Sequence, residues 1–190
     1  VTIRLLVLPC SEYETTANSE FREVLYLARE KDIPILWLEA GMEWRAGETV
    51  ATCLHPVREY AGEDSNADSE VIYITYQGFS FLLTGDVGMS EEQALFAEMD
   101  AKGIEAVTIL KVPHHGSRYS CSEGFLERIQ PKISVISCGE HNRYGHPHVE
   151  TLERLANADC VVLTTPEWGA IKVELQENAV KILPFRQNEK

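Results

Sequence analysis

The stretch Lys111-Val-Pro-His-His-Gly-Ser117 closes an apolar run, Ala106 to Val112, by placing two adjacent imidazoles on a loop with Gly116 and Ser117. A buried strand ending in such a loop presents its side chains where metal and phosphate sites are built. Upstream, Phe79-Ser-Phe-Leu-Leu-Thr84 is equally apolar and ends in Gly85-Asp86, so a carboxylate reaches a strand tip in the same way. One tip carries Asp86 and the other His114 and His115; together they suggest one shared pocket.

Outward from this pair, the pattern predicts a strand over 3–8 and a helix from Asn18 to Lys31 with Phe21, Val24, Leu25, Leu27 and Ala28 on one side. A strand over 35–38, a turn-rich connection from Glu39 to Glu48 and a short strand 50–54 stopped by Pro56 follow. After an acidic loop, Glu59 to Glu70, comes a hairpin: 71–76, a Gln77-Gly78 turn, and 79–84. That hairpin puts the Asp86 strand inside a sheet. Ser90 with Gln93 reads as a capping box opening a helix that ends near Gly103. A strand 106–112, a helix Glu123–Ile129, a strand 132–138 and a loop Gly139 to Pro147 come next, Pro147 suiting the first turn of a helix to Asn157. Strands 160–164, 169–174 and 179–183 complete the series, ahead of a polar tail, Arg186 to Lys190. The order predicts an α/β (α+β) architecture, helices packed on the faces of one or two mixed sheets, as a single domain over 1–190.

With 190 residues, 44% of them hydrophobic, the chain can bury one real core. No apolar stretch approaches the roughly 18 residues a spanning helix needs, and the opening residues read as a buried strand rather than a signal peptide, so a soluble chain is expected. Five cysteines without a Cys-x-x-Cys pair read as buried structural thiols. The net charge of −13 counts against a generic polyanion-binding surface. A nucleic-acid substrate would need local help, from carboxylate-held divalent cations or from Lys111, Arg118 and Arg143 beside the histidine-bearing loops.

An ionised carboxylate can bridge two divalent metals, neutral imidazoles can complete their shells, and the ions can then activate water and clamp ester oxygens. Asp86 suits the bridge. On an extended backbone His114 and His115 would point in opposite directions, one to ligate and one to face substrate. Asn142-Arg-Tyr-Gly-His146 adds amide, guanidinium, phenol and imidazole just before a helix N-terminus, where His146 or Asn142 could orient a phosphate or protonate a leaving group. Plainer readings stand beside these. Asp86 could be a turn or capping residue, the His-His loop a solvated one, His148 a surface or capping group, and His55 and His141 ordinary loop histidines. Glu91 and Glu92 read as first-turn acids favoured by the helix dipole, with a metal role open.

Together, Leu82-Leu-Thr-Gly-Asp86, Leu110-Lys-Val-Pro-His-His-Gly-Ser117 and Asn142-Arg-Tyr-Gly-His-Pro147 resemble the metallo-β-lactamase domain of ComEC-type DNA-internalisation competence proteins, in order and spacing. The likeness extends to the Leu54-His-Pro56 strand end and to Asn66. It implies an αββα sandwich without its N-terminal portion and a hydrolase that degrades one strand of incoming DNA at two divalent metals, zinc or manganese. Asp86 and His115 would be metal ligands, and His114, His146 and Asn142 catalytic groups. Ser117, Arg118, Arg143 and Tyr144 would contact substrate. Gly116 favours His115 as the ligand by allowing the loop close to a metal.

The signature His-x-His-x-Asp-His that supplies most of the family's ligands is absent from these 190 residues. The expectation is therefore either a relative that has lost the site or, as the better reading, a fragment, inactive or nearly so, that holds incomplete metal sites or none. Apolar surface left uncovered would meet a neighbour or a second copy in a dimer. The family's arrangement implies single-stranded DNA as substrate, a membrane-channel portion in the same polypeptide, and an extracytoplasmic domain. Two rivals are a small phosphoester or ester hydrolase of the same superfamily and a non-catalytic partner- or DNA-binding module.

Overall fold

The computed structural model describes residues 2–10, 19–58, 65–176 and 179–185. The expected helix start at Asn18, much of the acidic loop after Glu59 and the polar tail from Arg186 lie outside them.

The centre is a seven-stranded sheet in chain order: β3 (Glu43–Ala46), β4 (Thr49–His55), β5 (Val71–Tyr76), β6 (Phe79–Leu83), β7 (Ile109–Lys111), β8 (Ile133–Ile136) and β9 (Val161–Thr164). Strands β3 to β6 pair antiparallel, with short turns between β3 and β4 and between β5 and β6, and β6 to β9 pair parallel. Parallel neighbours need crossovers, which are built on α2 (Met89–Ala101), α3 (Glu123–Ile129) and α4 (Val149–Asn157). The carboxyl ends of β6, β7 and β8 therefore open on one edge, where open α/β sheets place their ligands.

Alternation divides the two faces. Leu82, Leu110 and Ile136 join Leu95, Met99, Phe125 and Leu155 in the main core on the helix side. Ile109, Ile133 and Leu163 turn to the other side and pack with Ile171, Val173, Val180 and Ile182 of an antiparallel hairpin, β10 (Ile171–Gln176) and β11 (Ala179–Pro184). The layers run helix, sheet, hairpin sheet, a mixed α/β fold as expected from the order of elements.

A parallel pair, β1 (Leu6–Pro9) and β2 (Ile35–Leu38), stands apart from the main sheet and is covered on one side by α1 (Ser19–Glu30), with Phe21 against Trp37 at 6.4 Å between ring centres. Among the described residues nothing covers the other side. Ile3, Leu5 and Val7 alternate along it beside Leu36, the register partner of Val7, and all four are exposed. Strands buried on one face only are unusual in parallel pairs, and these four side chains form an exposed apolar strip.

Several elements differ from expectation. The Glu39–Glu48 connection contains β3, missed because all four of its residues are exposed on a sheet edge and show no alternation. The cap of helix α2 is Gly88, not Ser90: the Glu91 carboxylate accepts the Gly88 N–H at 2.9 Å, one half of a capping box whose other half a glycine cannot supply, and it is set two residues earlier than expected. Pro147 precedes the cap residue His148 rather than occupying the first turn of α4. A one-turn α5 (Thr165–Trp168), capped by the Thr164 hydroxyl, separates β9 from β10. His55 is no ordinary loop residue but a core histidine at the end of β4, donating from Nδ1 to Ser69 O at 3.0 Å. All five cysteines are free thiols, of which Cys53 and Cys121 are buried and Cys10, Cys138 and Cys160 only partly so.

Burial holds His55 below the usual imidazole range, against the raising effect of its Ser69 hydrogen bond. The unfolded chain therefore binds the proton first as pH falls, and the stability His55 contributes above its unfolded pKa is lost on acidification. The urea midpoint is expected to fall between about pH 7 and 5, with a shallower slope in His55→Asn.

Candidate active site

The left-handed turn at 114–116 governs the geometry. His114, His115 and Gly116 all take positive φ, at 48°, 55° and 81°. Left-handed residues normally occur singly, at about 1–2 kcal/mol each for residues with a Cβ, although histidine is among the better-tolerated types. The turn overturns the expectation of opposed histidines. Both rings swing toward His146, with ring centres 5.7 Å from it for His114 and 6.3 Å for His115.

Three loops are stitched together here. The His114 N–H donates to Gly85 O at 3.1 Å, tying the histidine turn to the Asp86 tip. The Asp86 N–H donates to Ser69 Oγ at 3.0 Å. The His148 N–H donates to Gly116 O at 2.9 Å, tying the turn to the start of α4. A Cβ on Gly116 would lie 2.8 Å from Pro147 Cβ, so the glycine is needed for the approach of Pro147.

His115 donates from Nδ1 to Ser137 O at 2.6 Å. In the neutral ring that bond puts the proton on Nδ1 and leaves Nε2 a lone pair, and Nε2 faces Asp86 Oδ1 at 3.5 Å. The separation is long for a hydrogen bond, while two donors each about 2.0–2.1 Å from one tetrahedral ion stand about 3.4 Å apart. A carbonyl behind the ring is also the usual outer-shell partner of a ligating histidine. Asp86 and His115 thus fit two positions of a divalent-ion shell. Among the described residues no three His, Cys, Asp or Glu side chains converge closely enough to hold an ion.

His146 is surrounded by aromatic rings: Tyr144 stacks on it at 5.7 Å and 22°, and His148 meets it edge-on at 4.9 Å. Burial, then the neighbouring His148, His114 and His115, hold its pKa down, so its neutral form is favoured. His148 is more than a surface group, because its Nδ1 accepts the Arg118 N–H at 3.2 Å and its proton is left on Nε2.

Asn142 does not fit the expected catalytic role. Its amide donates to Gly139 O and His146 O, at 2.9 and 2.6 Å, and accepts from the Tyr144 and His146 N–H groups, at 3.2 and 2.9 Å. Every hydrogen-bonding position of the side chain is used, so it braces the loop under His146. Ser117 does not fit either: it is buried, and its hydroxyl accepts from the Tyr119 N–H. Arg118 pairs with Glu150 at 2.9 Å, and Arg143 lies over the Tyr144 ring at 4.9 Å, both within reach of solvent. His141 lies on the exposed part of the same loop.

Sequence reasoning missed the clamp beneath the histidine turn. Glu92, read as a dipole-favoured first-turn acid, is buried and accepts the backbone N–H groups of Cys121 and Ser122, the latter at 2.9 Å. Burial pushes its pKa up, and these hydrogen bonds oppose the shift. From α4, Arg154 donates to the carbonyls of Arg118, Ser120 and Cys121 at 2.7–3.0 Å. Acid and base grip opposite poles of one loop backbone. Glu92→Ala would strand two N–H groups, and a loss of about 2–4 kcal/mol in urea unfolding is expected, with Glu92→Gln recovering part.

No family model matches the chain. Curated relatives do. ComE operon protein 3 of Bacillus subtilis is 33% identical over 150 residues, 79% of this chain and 19% of that protein. Recombination protein 2 of Haemophilus influenzae is 31% identical over 147 residues, 77% of this chain and 18% of that one. Competence protein ComA of Neisseria gonorrhoeae is 31% identical over 123 residues, 65% of this chain and 18% of that one. The chain spans about a fifth of the length of these relatives. Among solved structures, a presumed metal-dependent hydrolase of Parabacteroides distasonis aligns with 79% of this chain and 63% of its own, at 14% identity and a TM-score of 0.46.

Proposed function

This chain is homologous to part of the ComEC-type competence proteins, and from that premise we propose that it carries the late half of a metal-dependent phosphodiesterase site acting on DNA during uptake. The observation that carries the reading is the His115–Asp86 pair, its ring proton committed to Ser137 O and its free nitrogen turned to the carboxylate at 3.5 Å. When bound, divalent ions, manganese or zinc, would lower the pKa of a water and neutralise charge on a phosphodiester.

The chain's own groups divide the remaining work. Asp86 and His115 would hold the ion. His114 and His146 stand on the substrate side, and the favoured neutral state of His146 lets it take a proton. Asn142 fixes His146, while Tyr144 stacks behind it and Arg118 and Arg143 supply positive charge at the rim of a strongly acidic protein. Two donors do not hold an ion tightly, so the other ligands come from outside these 190 residues and the chain alone is inactive or nearly so. In this reading the substrate is a single DNA strand. The neighbouring parts of the polypeptide are membrane-embedded and this domain faces away from the cytoplasm. Among the described residues no helix is long and apolar enough to cross a membrane.

The test is release of nucleotides from single-stranded DNA with Mn²⁺ or Zn²⁺, by this chain and by a version extended upstream, beside a panel of small phosphoesters and carboxylic esters. Hydrolysis of DNA by the extended protein alone would support the reading. Preference for a small ester would replace DNA as substrate, and metal-independent DNA binding without turnover would make this a binding module.

A further inference from the structure

Lys111, at the carboxyl end of β7, is a half-buried cation that makes no ion pair among the described residues. Its register partners are Leu83 on β6 and Val135 on β8, so its stem emerges between two apolar neighbours on the hairpin side of the sheet. The backbone there is fixed, since Lys111 O accepts from the Thr84 hydroxyl at 2.5 Å. Of the three donors on its ammonium, one is accounted for, to Val112 O at 2.8 Å. The strands on either side of it run on to Asp86 after β6 and to Ser137, the acceptor of the His115 ring, after β8, so Lys111 ends its strand on the same sheet edge as the candidate site; burial depresses its pKa, and the charge of Asp86 acts in the opposite direction.

Partial burial of an ammonium without a carboxylate partner is unfavourable unless something else supplies the charge. We propose that Lys111 binds a non-bridging oxygen of an anionic ester held at the Asp86–His115 site, and so selects phosphoesters over neutral carboxylic esters. The inference rests on the phosphodiesterase reading and deepens it. A phosphodiester carries a full negative charge at physiological pH, whereas a carboxylic ester carries none. Lysine serves here as a point charge at the end of a flexible stem, so arginine can replace much of its function.

The experiment is a titration of this 190-residue chain, free of metal, with inorganic phosphate and with thymidine 5′-monophosphate, followed by NMR of the lysine side chains and backbone amides. The expected result is a saturable shift at Lys111 and its neighbours, weakened about tenfold or more in Lys111→Met and by much less in Lys111→Arg. Methyl acetate, a neutral ester, should produce no such shift. Lys111→Met removes a partly desolvated charge, so it should melt at or above the wild-type temperature, and weakened binding then cannot be ascribed to unfolding. Failure of the wild-type chain to bind either phosphate, or equal binding by Lys111→Met, would overturn the proposal. Asp86→Asn, titrated in parallel, should keep or strengthen phosphate binding because it removes a nearby negative charge. The assay needs neither metal nor turnover, so a failed hydrolysis assay and a failed Lys111 assay are separate outcomes.

Discussion

Asp86→Asn is expected to weaken Mn²⁺ affinity and metal-dependent hydrolysis by more than about 100-fold in the upstream-extended protein, beyond what loss of an outer-shell partner costs. The substitution keeps shape and removes charge. The Asp86 N–H still reaches Ser69 Oγ, so the melting temperature should stay near wild type. His115→Ala should produce a similar loss of affinity, because it deletes the one imidazole whose free nitrogen faces the carboxylate. His114→Ala is the informative contrast: its ring lies beside His146, so it should lower turnover while leaving metal affinity within a few-fold. Isothermal titration with Mn²⁺ and initial rates on single-stranded DNA separate these outcomes. Equal metal affinity in Asp86→Asn and wild type would remove the basis of the proposed site.

The largest expected loss of stability comes from a single methyl group at Gly116. Gly116→Ala must keep φ near 81° and place its Cβ 2.8 Å from Pro147 Cβ and 3.2 Å from Pro147 Cα. The left-handed term and the overpacking term together amount to about 2–5 kcal/mol in urea unfolding. Gly145→Ala provides the control, since φ there is 73° but the space around its Cβ is open. It should lose only about 1 kcal/mol. If the two alanine variants lose the same amount, contact between the histidine turn and Pro147 contributes nothing and the loops are held by hydrogen bonds alone.

Much of this arrangement was legible in the residues. The 71–84 hairpin could be read because alternation meets a Gln-Gly turn, and β7 and β8 because their apolar runs stop at Gly-containing loops. Helix α3 matched residue for residue, since Ser122 is a cap and the apolar positions behind it are unambiguous. Strand ends predicted which loops would meet, and Asp86, His114, His115 and His146 do lie on one edge. Backbone handedness was not legible, because no local rule distinguishes a left-handed His-His-Gly turn from an extended one. Nor was the fate of Asn142, whose amide looks equally fit for a phosphate or for its own loop until the loop closes around it. Glu92 and Lys111 were misjudged or undervalued for the same reason: a charged residue reads as solvated unless the fold that buries it is known.

The run of left-handed residues at 114–116 also limits what can be exchanged there. Asparagine and aspartate share histidine's tolerance for this conformation, whereas valine, isoleucine and threonine do not. A selection for folding alone, with no assay of chemistry, should therefore still deplete β-branched residues at 114 and 115. Redesign is open in one direction. His115→Asp could keep the turn while replacing a nitrogen donor with oxygen, shifting preference from zinc toward manganese or magnesium. The backbone that holds the histidines in place thus also sets which ligand chemistries the loop can adopt next.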